Sequence, residues 1–346
     1  MSNMLFRGAA LLAAVVCACA APLDVFRAGE GGYHTYRIPS LIATKKGTLL
    51  AFCEGRRNSA GDAGDIDVLL RRSFDGGRSW GPVQLVADAG ADTIGNPTAV
   101  VERATGAVIL LLTRNPGAVP ERDVGERDRT VWLTRSSDDG ATWSVPVEIT
   151  AQVKRPGWTW YATGPGTGIQ LRSGRLVIPC DHNVGKSERH SHVIYSDDRG
   201  ATWKVGGVAE EKTNESAVAQ LRSGELVLNM RSYHGKNRRA VQRSRDDGLT
   251  WSPLELDEAL VEPVCEASMI AVGKLLVFAN PAATTRTRMT LRTSADGGHR
   301  WTTEKVVWEG PSGYSSLAAV RREVGLLYEW GERGPYERIG FVRIKK

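Results

Sequence analysis

SSDDGATW, residues 136–143, decides the fold, because its skeleton S-x-D-x-G-x-x-W is written four more times in the chain. The other copies are SFDGGRSW (73–80), SDDRGATW (196–203), SRDDGLTW (244–251) and SADGGHRW (294–301). Each place in the octet has a physical task. Aspartate at the third place can accept from the N–H groups of its own turn, and glycine at the fifth adopts a backbone angle that other residues resist. Serine and threonine hydroxyls add local bonds, and the tryptophan packs back as an apolar plug. The octet reads as a lock on a hairpin turn rather than as a calcium or sugar site.

The copies begin at 73, 136, 196, 244 and 294, a repeat of the length found in propellers and solenoids. Between them lie GAVILLLT (106–113), GRLVIPC (174–180), GELVLNM (224–230) and GKLLVFA (273–279). Each opens on glycine and runs into apolar or β-branched residues, the pattern of a turn feeding a buried strand. Helical periodicity is missing beyond the N-terminal segment. The expectation is an all-β chain, and units of roughly 54 residues divide it into a six-bladed β-propeller. Its sixth blade would be completed by joining the two chain ends, which seals free sheet edges.

Of the 346 residues, 41% are hydrophobic and 24% charged, as in ordinary globular proteins. The net charge of +6 comes from scattered lysines and arginines. No basic stripe argues for a nucleic-acid partner, whereas a small acidic substrate suits that balance. Arg7 precedes the apolar run AALLAAVVCACAA, and Ala18-Cys19-Ala20 supplies small residues before Pro22. Residues 1–21 therefore read as a secretory signal, too short to span a membrane, with a lipoprotein signal acylated at Cys19 as the alternative. Residues 22–346 are read as one domain, secreted, periplasmic or at the cell surface, with no transmembrane span and acting as a monomer. Cys53, Cys180 and Cys265 have neither disulfide nor zinc spacing and read as buried small hydrophobes. His182, His190 and His192 are read as part of a polar loop, without a metal or cofactor.

Tyr36-Arg37-Ile38-Pro39, the five octets and WTWYATGPGTGIQL (158–171) together resemble the sialidase (exo-α-neuraminidase) family with its Asp-box repeats. The resemblance covers the chain from about Asp24 onward and implies the same six-bladed propeller. It also implies a site. The family binds the carboxylate of a nonulosonic acid with three arginines, and Arg37 and Arg231 match two of them. Arg286 in TTRTRMTLRTS matches the third, with Arg288 the alternative; Arg286, Arg288 and Arg292 share a strand face by parity. Arginine suits the task because its planar donors grip a carboxylate with two parallel bonds. Tyr314 matches the family nucleophile and Glu215 its activating carboxylate. The family's acid stands nine residues before the Arg-Arg pair that leads into the first box, which is Asp62 counted from Arg71, with Asp65 its rival. Glu329 matches the carboxylate that orients Arg37. Arg56, or else Arg57, would reach the sugar from the rim, and Trp158, Trp160 and Tyr161 would form a pocket wall.

A neutral phenol as nucleophile has a physical rationale. A second carboxylate about 4 Å from the substrate's own would repel it by roughly 4 kcal/mol at an effective dielectric near 20. The resemblance thus implies a retaining exo-α-sialidase acting on sialylated glycans. A trans-sialidase or a KDN-type nonulosonate hydrolase would share this site, and a non-catalytic glycan-binding propeller is the alternative outside enzymes.

Overall fold

A computed structural model describes residues 22–345. The signal segment, residues 1–21, and Cys19 with it, lie outside the described residues. The described chain is all-β, as the sequence implies: 25 strands, one four-residue helix at Thr150–Val153 and one short 3-10 turn at Glu121–Asp123. The glycine-led runs form the strands Val108–Asn115, Leu176–Val184, Leu226–Ser232 and Leu275–Pro281. Their apolar side chains are almost wholly buried, as are all eight residues of Leu49–Arg56.

The closed six-bladed propeller is a different matter, and the sheets correct it. They are four open sheets of nine, seven, five and four strands. Two joins explain why the repeat does not give six separate units. Thr303–Val320 is 18 residues long and pairs with Thr287–Ser294 through its first half and with Glu323–Trp330 through its second. Ile66–Ser73 meets Thr93–Val101 in a parallel step at Ile66↔Thr93, which fuses two further sets of strands into the nine-stranded sheet. Sequence period marks hairpins, but hydrogen bonds between neighbouring hairpins decide where a sheet stops. The two ends of the described chain do pair, Leu23–Arg27 running antiparallel to Arg338–Lys345.

All five octets form turns, and they share a bonding scheme. In the third, Ser196 Oγ donates to Asp198 Oδ1 at 2.7 Å and accepts from Gly200 N at 2.7 Å. Asp198 also receives Thr202 N at 2.9 Å and Thr202 Oγ1 at 2.6 Å. Glycine is required at the fifth place twice over. Gly77 and Gly200 have φ of +86° and +84°, and a Cβ there would lie 2.0 Å from the Phe341 ring or 2.5 Å from Ile109. The turns are also tied to one another. Arg175 Nη1 donates to Asp247 O at 3.1 Å, Arg243 Nη2 to Gly297 O at 3.0 Å, and Arg135 Nη2 to Gly200 O. Each arginine spans from its own sheet to the next octet.

The hydroxyl and N–H donors depress the Asp198 carboxyl to about 2. A folded-state value below the unfolded one adds stability above the unfolded value, and that stability is lost as pH falls toward 2. Asp198→Ala should therefore lower stability at neutral pH by about 1 kcal/mol, the usual size for lost hydrogen bonds at an exposed turn. The gap between variant and wild type in urea melts should close between about pH 4 and pH 2; a gap independent of pH would mean that the carboxylate charge plays no part.

Candidate active site

Strands from all four sheets deliver side chains to one cavity of about 590 Å³, and several of them do so at a bulge. Pairing registers shift between Arg37 and Ser40, Gly95 and Thr98, Thr213 and Ser216, Thr287 and Met289, and Ser312 and Ser315. Asn96, Glu215 and Tyr314 sit inside those irregular steps, Arg37 stands at the edge of one, and Arg286 immediately precedes another. A bulge inserts a residue and re-aims its side chain, so each of these groups can leave the sheet's alternation and face the cavity. Ile38 and Asn96 take φ of +60° and +52° there, conformations that cost a non-glycine residue free energy and need local support.

Buried carboxylates provide that support. Glu329, fully buried, accepts Arg37 Nε at 3.0 Å and Ile38 N at 2.9 Å on one oxygen. Its other oxygen accepts Arg37 Nη2 at 3.3 Å and Tyr314 N at 2.9 Å. The carboxylate lies against Gly313, where a Cβ would come within 2.2 Å of Oε2. Glu54 repeats the scheme with Asn96 N at 2.8 Å and Arg56 at 2.8 and 3.0 Å. Glu262 does so with Ser232 N at 2.8 Å and Arg239 at 2.6 Å.

Tyr314 stands at the centre. Its hydroxyl donates to Glu215 Oε1 at 2.5 Å and accepts from Arg231 Nη1 at 3.2 Å, while Arg231 Nη1 also reaches Glu215 Oε2 at 2.8 Å. The guanidinium carbons of Arg37 and Arg286 lie 5.0 and 5.4 Å from the Tyr314 ring centre. Burial, and then the charge of Glu215, hold the phenol well above its ordinary value, against the opposing pull of Arg231 and Arg37. The phenol therefore keeps its proton directed at Glu215. Tyr336 covers the group from outside, 4.0 Å under the Arg37 guanidinium and bonded to Arg286 Nη1.

Of the sequence candidates, Arg37, Arg56, Asp62, Glu215, Arg231, Arg286 and Tyr314 line the cavity, and Glu329 anchors Arg37 from behind. Arg288 instead faces Glu304 at 3.1 Å, and Arg57 and Asp65 pair with each other at 3.1 Å away from the cavity. Asp62 is contacted by Arg56 at 2.7 Å and Arg37 at 3.5 Å with half of its side chain, 50%, still exposed. Burial acts to raise its carboxyl, but Arg56 and then Arg37 outweigh it and hold the group below the ordinary aspartate range.

The pocket wall needs correction. Trp158 and Tyr161 are buried behind it: Trp158 stacks on His182 at 3.5 Å and the Tyr161 hydroxyl meets His192 Nε2 at 3.2 Å. The irregular step between them turns Thr159 and Trp160 to the cavity. The histidines thus serve this aromatic cluster.

Among the lining groups that escaped sequence reasoning are Glu121, Arg129, Asp181 and Tyr336. Arg129 is buried, stacks on Trp160 at 3.6 Å and bonds to Asn115 Oδ1 at 2.6 Å. Desolvation pulls it down to about 10. Asp181 is buried, receives Asn214 Nδ2 at 2.7 Å and is raised well above the aspartate range by burial and then by Glu215. No motif or spacing marked them: Asp181 lies in a regularly paired strand, Arg129 just before one, and Glu121 and Tyr336 outside any strand.

In this all-β protein a cation-rich cavity built around a tyrosine–glutamate pair has the charge to receive a small organic anion. Comparison with known proteins narrows this. The profile of the BNR repeat-like domain matches residues 47–328. A sialidase of Bacteroides fragilis is 37% identical over 89% of this chain and 62% of its own length. One from Micromonospora viridifaciens is 34% identical over 88% of this chain and 51% of that one. The solved structure of a Hadza microbial sialidase superposes with a TM-score of 0.86 at 34% identity, over 93% of this chain and 68% of that one. The chain belongs to the sialidase family. It spans about half to three-fifths of the length of the two curated relatives just described.

Removing one partner of a buried ion pair leaves the other charge without compensation. Glu329→Ala should accordingly cost roughly 3–5 kcal/mol in urea denaturation. Glu329→Gln, which keeps one acceptor for the backbone N–H groups, should cost less. Equal and small losses would show that the pair carries no structural burden.

Proposed function

We propose that the protein is a retaining exo-α-sialidase that removes terminal sialic acids from glycoconjugates. One observation carries the reading: Glu215 joins the Tyr314 hydroxyl to Arg231 at 2.5 and 2.8 Å, with Arg37 and Arg286 beside the same ring. Arg37, Arg231 and Arg286 hold the sugar carboxylate. Because Glu329 occupies Nε and Nη2 of Arg37, Nη1 is the donor left for substrate, the same nitrogen that faces Asp62.

Tyr314 attacks the anomeric carbon as Glu215 takes its proton, a nucleophile activated by an adjacent base. The neutral phenol approaches without repelling the substrate's carboxylate, and the oxygen of the leaving group receives a proton at Asp62. Water then opens the glycosyl–tyrosine bond from the same face, so configuration is retained. The arginines act throughout as fixed positive charge, needing no reorganisation as negative charge redistributes. The reading places residues 1–21 as the export signal of a secreted or surface enzyme whose catalytic unit is 22–346, acting as a monomer on sialylated glycans.

Tyr314→Phe should reduce kcat on a fluorogenic aryl sialoside at least about 100-fold, the lower end of what a positioned proton-transfer partner supplies. Product analysis from sialyllactose, with and without excess lactose, separates hydrolysis from transfer. Undiminished turnover by the variant would remove tyrosine from the mechanism, and binding of sialosides without release of free acid would remove the enzyme reading.

A further inference from the structure

We propose that Glu121 is the proton-holding partner of Asp62, the two forming one carboxyl–carboxylate pair that supplies the leaving oxygen with its proton. The inference deepens the sialidase reading and rests on it. It starts from a mismatch. A general acid must carry a proton, yet Arg56 at 2.7 Å and Arg37 at 3.5 Å favour the anionic form of Asp62. Some other group at the mouth must hold the proton until it is needed.

Glu121 meets the geometric requirement. It opens the short turn Glu121–Asp123 and lines the same cavity as Asp62, where the two carboxyls act on each other. No ion pair neutralises it among the described residues, and its neighbour Arg122 turns instead to Asp123 at 3.6 Å. The charged groups facing Glu121 are Asp62, Arg129, Glu215 and Arg56, with Asp181 behind Arg129. Two neighbouring carboxyls cannot both be ionised cheaply, so they share a proton. The arginines assign the charge to Asp62 and hence the proton to Glu121. Consistent with this, the Glu121 carboxyl is pushed up to about 7, by crowding at the mouth and then by the charge of Asp62. Since Glu121 is exposed at the rim, the charge of Asp62 is the firmer cause.

Substrate changes the balance. Its carboxylate takes Nη1 of Arg37 away from Asp62 and neutralises part of the field on that aspartate. The proton then crosses from Glu121 to Asp62 and on to the glycosidic oxygen, as the carbon–oxygen pair leaves with that oxygen and Tyr314 bonds to the anomeric carbon. Glu121 and Asp62 are now both carboxylates. In the second half, water bonds to the anomeric carbon, Asp62 takes one of its protons, and Tyr314 leaves, recovering its own from Glu215. The pair again holds one proton.

Glu121 is thus a positioning residue that acts through Asp62, and its test must read the proton. Glu121→Gln should lower kcat on sialyllactose, whose leaving group needs protonation, at least ~10-fold at pH 7. On an aryl sialoside with an acidic phenol, the loss should be only a few-fold. The alkaline limb of kcat on sialyllactose should move to lower pH, because the proton is lost as pH rises through the pair's value. Glu121→Asp should restore part of the rate. Infrared spectroscopy reads the pair without turnover: wild type should lose a protonated-carboxyl band between about pH 6 and pH 8, and Glu121→Gln should lack that change. Equal losses on both substrates with an unmoved limb, or a titrating band that persists in Glu121→Gln, would overturn the proposal while leaving an active sialidase. Wild-type protein that cleaves neither substrate would instead sink the reading beneath it.

Discussion

The structure depends on one buried carboxylate. Glu329 binds both ends of the problem: the guanidinium of Arg37 and the backbone N–H groups of two bulges nearly three hundred residues apart in the chain. Each bulge leaves a donor without a strand partner, and a buried donor without a partner is costly. A carboxylate with two oxygens can serve both while neutralising the arginine. Such a pair adds little to stability compared with apolar packing; its contribution is that Arg37 and Tyr314 have one arrangement relative to each other. Glu54 and Glu262 apply the same solution at Asn96 and Ser232.

The site follows from this economy of charge. Arg37, Arg231 and Arg286 gather around Tyr314 because each already has acceptors turned toward it: Glu329, Glu215 and the Tyr336 hydroxyl. None of the three has all of its donors occupied by those partners. On the proposed reading an incoming carboxylate would complete the set where Asp62 now touches Arg37, which would link binding electrically to acid delivery.

Much of this was legible. The five octets marked hairpins whose turns share serine, aspartate and glycine bonds, and the glycine-led runs became buried strands. Arg37, Arg231, Arg286, Glu215, Tyr314, Asp62 and Glu329 stood in recognisable motifs, and the structure brings them together. Two things were not legible. The number of sheets depends on hydrogen bonds between hairpins, such as the Ile66↔Thr93 step and the continuous strand Thr303–Val320, which leave no mark in the period. Strand alternation also fails at bulges, so Trp160 rather than Trp158 or Tyr161 reaches the cavity. Arg129 and Asp181 are ordinary charged residues in sequence, one just before a strand and one in regular register, and no motif sets them apart.

The pairing of Leu23–Arg27 with Arg338–Lys345 has a consequence for synthesis. A ribosome delivers the first of these strands long before the second exists. Until residues 338–345 emerge, Glu323–Trp330 has an open edge and Leu23–Arg27 has no neighbour to accept its hydrogen bonds. Octets formed earlier can close locally, since their bonds span only four residues, but the seven-stranded sheet must wait. Its assembly is a late event in the life of the nascent chain, and its waiting edges are the surface that a folding helper would have to shield.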